Sequence, residues 1–318
     1  MKISLITPAD KLSKSGNRTT ALRWARMLRE AGHRVRIGMD YGGEDAKLMI
    51  AIHAWRSADA IGRYRARFPG GPLVVGLGGT DVNTFLKTHP ETTLRSMEMA
   101  DALICLHNLI GEALPAALRK KLHVVHQSAL PLPGPRHPSK RNFDVCVIGH
   151  LRDEKDPFRT ALAARRLPRQ SKLRVFHLGK AHTSEFASRA KAEMKINPRY
   201  RWLGEVPGWR VRRELAKTRA MVISSNQEGG ANVVSEAIVA GVPVIASDIA
   251  GNVGLLGRDY PGTYPVRDEA ALAHLLDRAE TEPAFLERLE RHVRKLQPLF
   301  RPAHEKAALK RIVGLVTR

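Results

Sequence analysis

The chain has 318 residues, with 53 Lys+Arg against 31 Asp+Glu for a net charge of +22, and aromatic residues make up only 5%. That length suffices for two domains with cores of their own. No apolar run approaches 18 residues and no charged start leads into an apolar stretch, so neither a spanning helix nor a secretory leader is expected.

Short β-branched or Leu-rich runs alternate with amphipathic segments along the whole chain. In the first half they cover 2–7, 34–39, 48–54, 73–78, 102–106 and 122–127; in the second, 144–151, 173–179, 200–204, 221–225, 242–247 and a weak 263–266. Strands separated by helical patterns of 10–15 residues indicate parallel βαβ units. The expected fold class is α/β, with two facing Rossmann-like domains and a ligand cleft between them, since open α/β sheets bind outside the carboxyl ends of their strands. The expected boundaries are a first domain over 1–130, a linker over 131–142 with its prolines clustered, a second domain over 143–300, and a helix over 301–318 that packs back on the first domain.

The charge is not gathered in one stripe. Residues 1–140 hold 21 Lys+Arg and 11 Asp+Glu, a net +10, which leaves +12 for the remainder. With few aromatics and no RNP, KH or zinc-finger pattern, nucleic acid is not the expected partner, and small anionic substrates account better for the charge. Cys105 and Cys146 both lie in apolar runs, which favours buried thiols and a cytoplasmic location over a disulfide. No His-x₃-His or Cys-x₂-Cys grouping suggests a metal, and no cofactor is expected.

The first element with chemistry to offer is Gly16-Asn17-Arg18, which opens a helix after the first strand and can bring backbone N–H groups to an anion, with Lys14 and Arg18 beside it. An ordinary helix cap explains the same pattern. His53 and Thr80-Asp81 fall at predicted carboxyl ends of strands, where a ligand is expected; a core histidine and a helix N-cap are the structural alternatives. The segment 19–30 alternates arginines with Leu22, Trp24 and Leu28, as a core helix or a membrane-surface helix would.

In the second half, Glu228 and Glu236 are separated by seven residues in a strand, glycine-turn, helix context. A helix opening near Ala231 leaves its first N–H groups for a diphosphate, with Gly229 and Gly230 allowing close approach and Asn232 and Val233 in the first turn. The two carboxylates can accept bonds from hydroxyls flanking the phosphates, although a solvated helix face shows such a pair too. Arg152 and Lys155 follow another strand and can reach the same diphosphate. Sugar transfer from a nucleoside diphosphate builds charge on the leaving oxygens, which fixed cations or a metal can stabilise. No Asp-x-Asp pair exists in the chain. Metal-independent transfer follows, and full activity in excess chelator is the expected result; loss restored by a divalent ion would contradict it.

These segments resemble the retaining glycosyltransferases of GT-B architecture that carry a Glu-x₇-Glu motif. The resemblance implies that Glu228 binds donor-sugar hydroxyls, Glu236 the ribose, and Lys155 the diphosphate. The family's usual arginine position holds His150 here, so Arg152 is the implied replacement. The residues Leu203, Gly204 and Glu205 stand where that class contacts the uracil. A closer resemblance, through Gly16-Asn17-Arg18-Thr19, His53-Ala54, Arg56-Ser57, Gly79-Thr80-Asp81, the stretch 149–157, 199–205 and 228–233, is to the selenosugar synthases of selenoneine biosynthesis. It implies a UDP-N-acetylglucosamine donor and selenophosphate as acceptor, loss of phosphate to leave a selenosugar, and a downstream selenoneine synthase as consumer. On that implication Lys14, Gly16, Asn17, Arg18, Arg56, Thr80 and Asp81 hold the acceptor, and His53 or Asp81 positions water for Se–P cleavage. An oxygen acceptor on an envelope or lipid-linked sugar remains the alternative, and stable membrane association is not expected.

Overall fold

The computed structural model describes residues 1–13 and 15–318. It contains two six-stranded sheets, each wholly parallel. The first comprises β1 (Lys2–Ile6), β2 (Arg34–Gly38), β3 (Leu48–Ile52), β4 (Leu73–Gly76), β5 (Ala102–Cys105) and β6 (Leu122–Val124), in the order β2-β1-β3-β4-β5-β6. The second comprises β7 (Phe143–Ile148), β8 (Leu173–Leu178), β9 (Tyr200–Trp202), β10 (Ala220–Ile223), β11 (Val244–Ser247) and β12 (Thr263–Tyr264), in the order β12-β11-β10-β7-β8-β9. Each expected apolar run contributes one strand. β3, β4, β5, β10 and β11 are buried along their whole length, as strands covered by helices on both faces must be.

Helices make the crossovers between successive parallel strands of each sheet, except that β2 runs to β3 through a loop. The helix Gly16–Glu30 starts where the Ser15 side chain accepts a bond from Arg18 N and buries Thr20, Ala21, Trp24, Ala25, Met27 and Leu28. Trp24 and Leu28 therefore belong to the core, and Leu22 alone of the segment's large apolar residues is exposed, at 48%. Two of the three apolar residues needed for a membrane face are thus absent from the surface. Among the described residues no helix is long and apolar enough to cross a membrane.

The chain divides into one unit of Met1–Ser128 with Pro302–Arg318, and a second of Ala129–Arg301. In the first, the carboxylate of Glu305, on the helix Pro302–Val316, is fully buried. It accepts bonds from Trp24 Nε1 at 2.8 Å and Ser128 N at 2.8 Å, and pairs with Arg23 Nε at 3.0 Å. The proline-rich stretch 131–142 falls within the second unit and is bonded to it. The Arg136 guanidinium donates to the carbonyls of Thr218 and Gly241, and His137 N donates to Ala216 O. Its prolines supply no N–H to satisfy, so Arg136 anchors the segment.

Three buried histidines give the fold a pH dependence. Burial holds His107, His126 and His177 down at about 4, reinforced at His107 by His126 and at His126 by His304. An unfolded histidine titrates near 6.5, so between pH 6.5 and 4 the unfolded chain binds more protons than the native one and stability falls as the pH falls. The expected urea midpoint is lower at pH 5 than at pH 7, by up to about 2 kcal/mol per histidine. Equal midpoints would contradict this.

Candidate active site

In the second sheet β7 stands between β10 and β8, so the connections leaving β7 and β10 part company there. This is the switch point at which doubly wound sheets bind ligands. The loop after β7 is held by its neighbours. Gly149 N donates to Leu178 O at 2.9 Å, and His177 Nε2 bonds Gly149 O at 3.1 Å while its Nδ1 meets the Tyr200 hydroxyl at 3.0 Å. Gly179 makes this approach possible, because a Cβ there would stand 1.9 Å from Gly149 O. The loop closes through Asp156 in the left-handed region, φ 42°.

The loop after β10 is tied to the same segment. Ser224 Oγ donates to the carbonyls of Lys155 and Asp156 at 3.1 and 2.9 Å, Asn226 N donates to Glu154 O at 2.8 Å, and Asn226 Nδ2 donates to Asp153 O at 2.9 Å. These bonds bring two charges together: Lys155 Nζ forms an ion pair with Glu228 Oε1, to which Ser225 Oγ also donates at 2.6 Å. Both side chains are largely buried, at 20% and 12% exposure, where an ion pair is less screened than on a surface. Gly251 lies directly beneath, since a Cβ on it would come within 2.4 Å of Glu228 O. After Gly229 and Gly230 (φ 128°) the helix Asn232–Ala240 begins at Ala231, with no side chain capping it. Glu236 is half-buried on that helix, which Val234, Ser235, Ala237 and Ile238 anchor in the core.

A cationic cluster adjoins. The Arg152 guanidinium lies 3.7 Å from Glu154, and its buried Nε has no hydrogen-bond partner. The His150 ring lies 5.4 Å from that of His182 and its Nδ1 accepts from Lys180 N. Burial lowers the pKa of His150, helped by His182, Arg152 and Lys155, with Glu205 opposing. His150 is thus kept neutral beside fixed cations. Leu203, Gly204 and Glu205 follow β9, stitched in place by Leu203 N to His177 O and Gly179 N to Gly204 O, each 2.8 Å. The supporting residues Ser224, Ser225, Asn226, His177, Gly179 and Gly251 carry no spacing signal in the sequence, apart from the polar Ser-Ser-Asn run that ends an apolar strand.

In the first unit, Gly16, Asn17 and Arg18 form the first turn of a helix already capped by Ser15, and Arg18 Nε is buried without a hydrogen-bond partner. Lys14 lies outside the described residues. His53 and Asp81 are both buried, at 1% and 0% exposure. Asp81 is committed to the backbone: Oδ2 accepts from Ala54 N at 2.9 Å and Gly78 N at 2.8 Å, and Oδ1 accepts from Trp55 N at 2.9 Å. His53 turns the chain out of β3 with φ 78°, and its Nδ1 lies 2.8 Å from Asp81 Oδ1. A left-handed turn at a bulky residue persists only where its surroundings hold it, and Asp81 does the holding. Nor does Asp81 cap a helix with its side chain: it opens a π-helical turn, Asp81–Phe85. Thr80 and Arg56 remain exposed, the Arg56 guanidinium 5.9 Å from the centre of the Phe85 ring, which itself stacks on Trp55 at 4.0 Å.

Known proteins place the whole in context. The family model for glycosyl transferases group 1 matches residues 135–296, which is 162 of the 318 residues. The chain belongs to that family and is a glycosyltransferase. It is 24% identical over 301 residues to a glycosyltransferase 1 domain-containing protein 1 of Xenopus tropicalis, covering 86% of this chain and 87% of that one. Its fold is similar to that of sucrose-phosphate synthase from Thermosynechococcus elongatus, with a TM-score of 0.76 at 17% identity over 99% and 98% of the two chains. It is also similar to HepE of Anabaena, crystallised with UDP, with a TM-score of 0.78 at 13% identity over 99% and 100%. Two Rossmann-like domains of GT-B architecture are the fold these likenesses share.

Proposed function

We propose that this enzyme transfers the sugar of UDP-N-acetylglucosamine to the selenium of selenophosphate, and that loss of phosphate then leaves a 1-selenosugar for a downstream selenoneine synthase. The observation that carries the donor half is the contact of Lys155 with Glu228 at the switch point, beside a helix start that no side chain caps. The bond from the anomeric carbon to the diphosphate oxygen breaks with its electron pair on oxygen, and a selenium lone pair forms the C–Se bond. Lys155, Arg152 and the N–H groups near Ala231 stabilise the diphosphate as its charge grows. Glu228 trades its bond to Lys155 for the donor's hydroxyls, Glu236 takes the ribose, and Leu203, Gly204 and Glu205 face the base. UDP in a HepE crystal of the same fold agrees with such a donor.

The acceptor half rests on the resemblance in the first unit together with the cations Arg18 and Arg56. Selenium suits a reducing cytoplasm, where Cys105 and Cys146 remain unpaired thiols, both pushed up to about 12 by burial. The test is UDP release from UDP-N-acetylglucosamine with and without selenophosphate under anaerobic conditions. Release that requires selenophosphate supports the reading, and release that ignores it and requires an oxygen acceptor overturns it.

One surface favours the second reading, an oxygen acceptor carried on an envelope lipid. Trp209, 65% exposed, stands with Arg212, Arg213, Pro133 and Pro135 around a cavity of about 570 Å³. Aromatic and basic side chains together suit an anionic membrane surface. Sedimentation with anionic vesicles, lost in Trp209→Ala, would support that reading over the first.

A further inference from the structure

One side of the second sheet departs from the pattern of its neighbours. Parallel strands covered by helices are apolar on both faces, yet β8 reads Leu-Arg-Val-Phe-His-Leu and β9 Tyr-Arg-Trp, with Arg174 and Arg201 exposed. The register places Asp144 opposite Arg174, Cys146 opposite Phe176, and Phe176 opposite Arg201, so all five share one face of the sheet. The helix Gly208–Lys217 makes the crossover from β9 to β10 and packs on β7. Between that helix and the open parts of β8 and β9 lies a cavity of about 330 Å³. Its charged side chains are four cations, Arg174, Arg201, Arg210 and Lys217, against two carboxylates, Asp144 and Glu214, a net +2. Asp144 is taken up by Arg174 through two bonds of 2.7 and 2.8 Å, and Glu214 meets Arg210 only at 4.0 Å. Among the described residues, the side chains of Arg201 and Lys217 have neither a hydrogen bond nor an ion pair. The floor between the cations is apolar, made by Cys146, Leu203 and the half-buried Phe176 ring. Thr218 Oγ1 donates to Asp144 O at 2.8 Å and so fixes the end of the helix to β7.

We propose that this cavity binds a small phosphate monoester carrying a planar ring, as a nucleoside monophosphate does, at a site of its own. Arg201 and Lys217, the cations without partners, hold the phosphate, and the ring lies on the floor of Phe176 and Leu203. A guanidinium and an ammonium together match the several acceptor oxygens of a phosphate, and an aromatic floor suits a planar ring. The volume falls within the range of small-molecule sites. Arginines on the covered face of a parallel sheet conflict with its packing, and such conflicts between pattern and fold gather where a protein binds something. The position is distinct from the donor loops. Asp144 and Arg174 stand at the amino ends of β7 and β8, whereas Lys155 and Glu228 follow the carboxyl ends of β7 and β10. Leu203 alone belongs to both places.

The test is calorimetric titration of the protein with adenosine 5′-monophosphate at constant ionic strength, with saturating UDP present to compete at the donor loops. One adenosine monophosphate per chain should bind. Inorganic phosphate and adenosine, titrated separately, should each bind at least about tenfold more weakly, since each makes only part of the contacts. The double variant Arg201→Ala/Lys217→Ala should weaken adenosine monophosphate by at least about tenfold. It should leave UDP affinity and the urea midpoint as they are, because neither side chain has a partner to lose. Adenosine monophosphate that binds only when UDP is absent would belong to the donor loops and overturn the proposal. Absence of binding, equal affinity for adenosine monophosphate and inorganic phosphate, or unchanged binding by the double variant would overturn it as well.

Discussion

Lys155→Ala should lower turnover of the nucleotide-sugar donor by roughly 10²- to 10³-fold, the usual consequence of losing one fixed donor at a developing oxyanion. The expected loss lies in kcat more than in KM, because charge on the diphosphate oxygens grows as the anomeric bond breaks. Lys155 is placed for this by Ser224, which bonds the carbonyls of Lys155 and Asp156, and by Asn226, which bonds those of Glu154 and Asp153. Glu228→Gln provides the companion measurement. The amide keeps the Ser225 contact but loses the ion pair with Lys155, so donor use should weaken whatever the acceptor. Since the two residues touch, their effects should not add, and a double mutant close to the worse single mutant is expected. Additive effects, or Lys155→Ala with near-normal kcat, would remove the pair from the donor site.

Glu305→Ala should destabilise the first unit by about 3–5 kcal/mol, the cost of breaking a buried ion pair by deleting one partner. The carboxylate serves Arg23, Trp24 Nε1 and the backbone of Ser128 simultaneously. Its removal leaves a nearly buried guanidinium, with 12% exposure, beside an indole N–H and a backbone N–H that lack their acceptor. The loss should appear as an early unfolding step in urea. Glu305→Gln should cost less, as the amide oxygen still accepts part of the set of four bonds, from Arg23 Nε, Trp24 Nε1, Ser128 N and Ser128 Oγ. A midpoint shift under about 1 kcal/mol for the alanine variant would mean that the helix Pro302–Val316 is held by its apolar face alone.

The strands were legible because interior parallel strands are continuous apolar runs, and each expected run holds one. Their ends were overrun. The run 122–127 became a strand over Leu122–Val124 alone, yet Val125, His126 and Gln127 are still buried; apolar pattern reports burial, while pairing depends on the neighbouring strand. The contact of Lys155 with Glu228 was prepared in the sequence too, since both sit at strand ends and Glu236 follows on a helix whose start Gly229 and Gly230 announce. What supports them was not. Gly179 answers to a carbonyl 30 residues earlier, at Gly149, and no local pattern records such an approach. His53 and Asp81 stand at strand ends as expected, and both are buried there. Backbone N–H groups of Ala54, Trp55 and Gly78 occupy the Asp81 carboxylate; Gly78 belongs to the same loop, while Ala54 and Trp55 reach it because β3 and β4 lie side by side. The same burial that withdraws His53 from the surface leaves Thr80 as its contact with solvent.

The most direct measurement incubates the purified protein anaerobically with UDP-N-acetylglucosamine and selenophosphate and follows the products by mass spectrometry. The expected result is a sugar carrying the selenium isotope pattern, formed in step with UDP and absent when Lys155 is alanine. UDP formation with no selenium-bearing sugar, and the donor's sugar found instead on an oxygen acceptor, would contradict it.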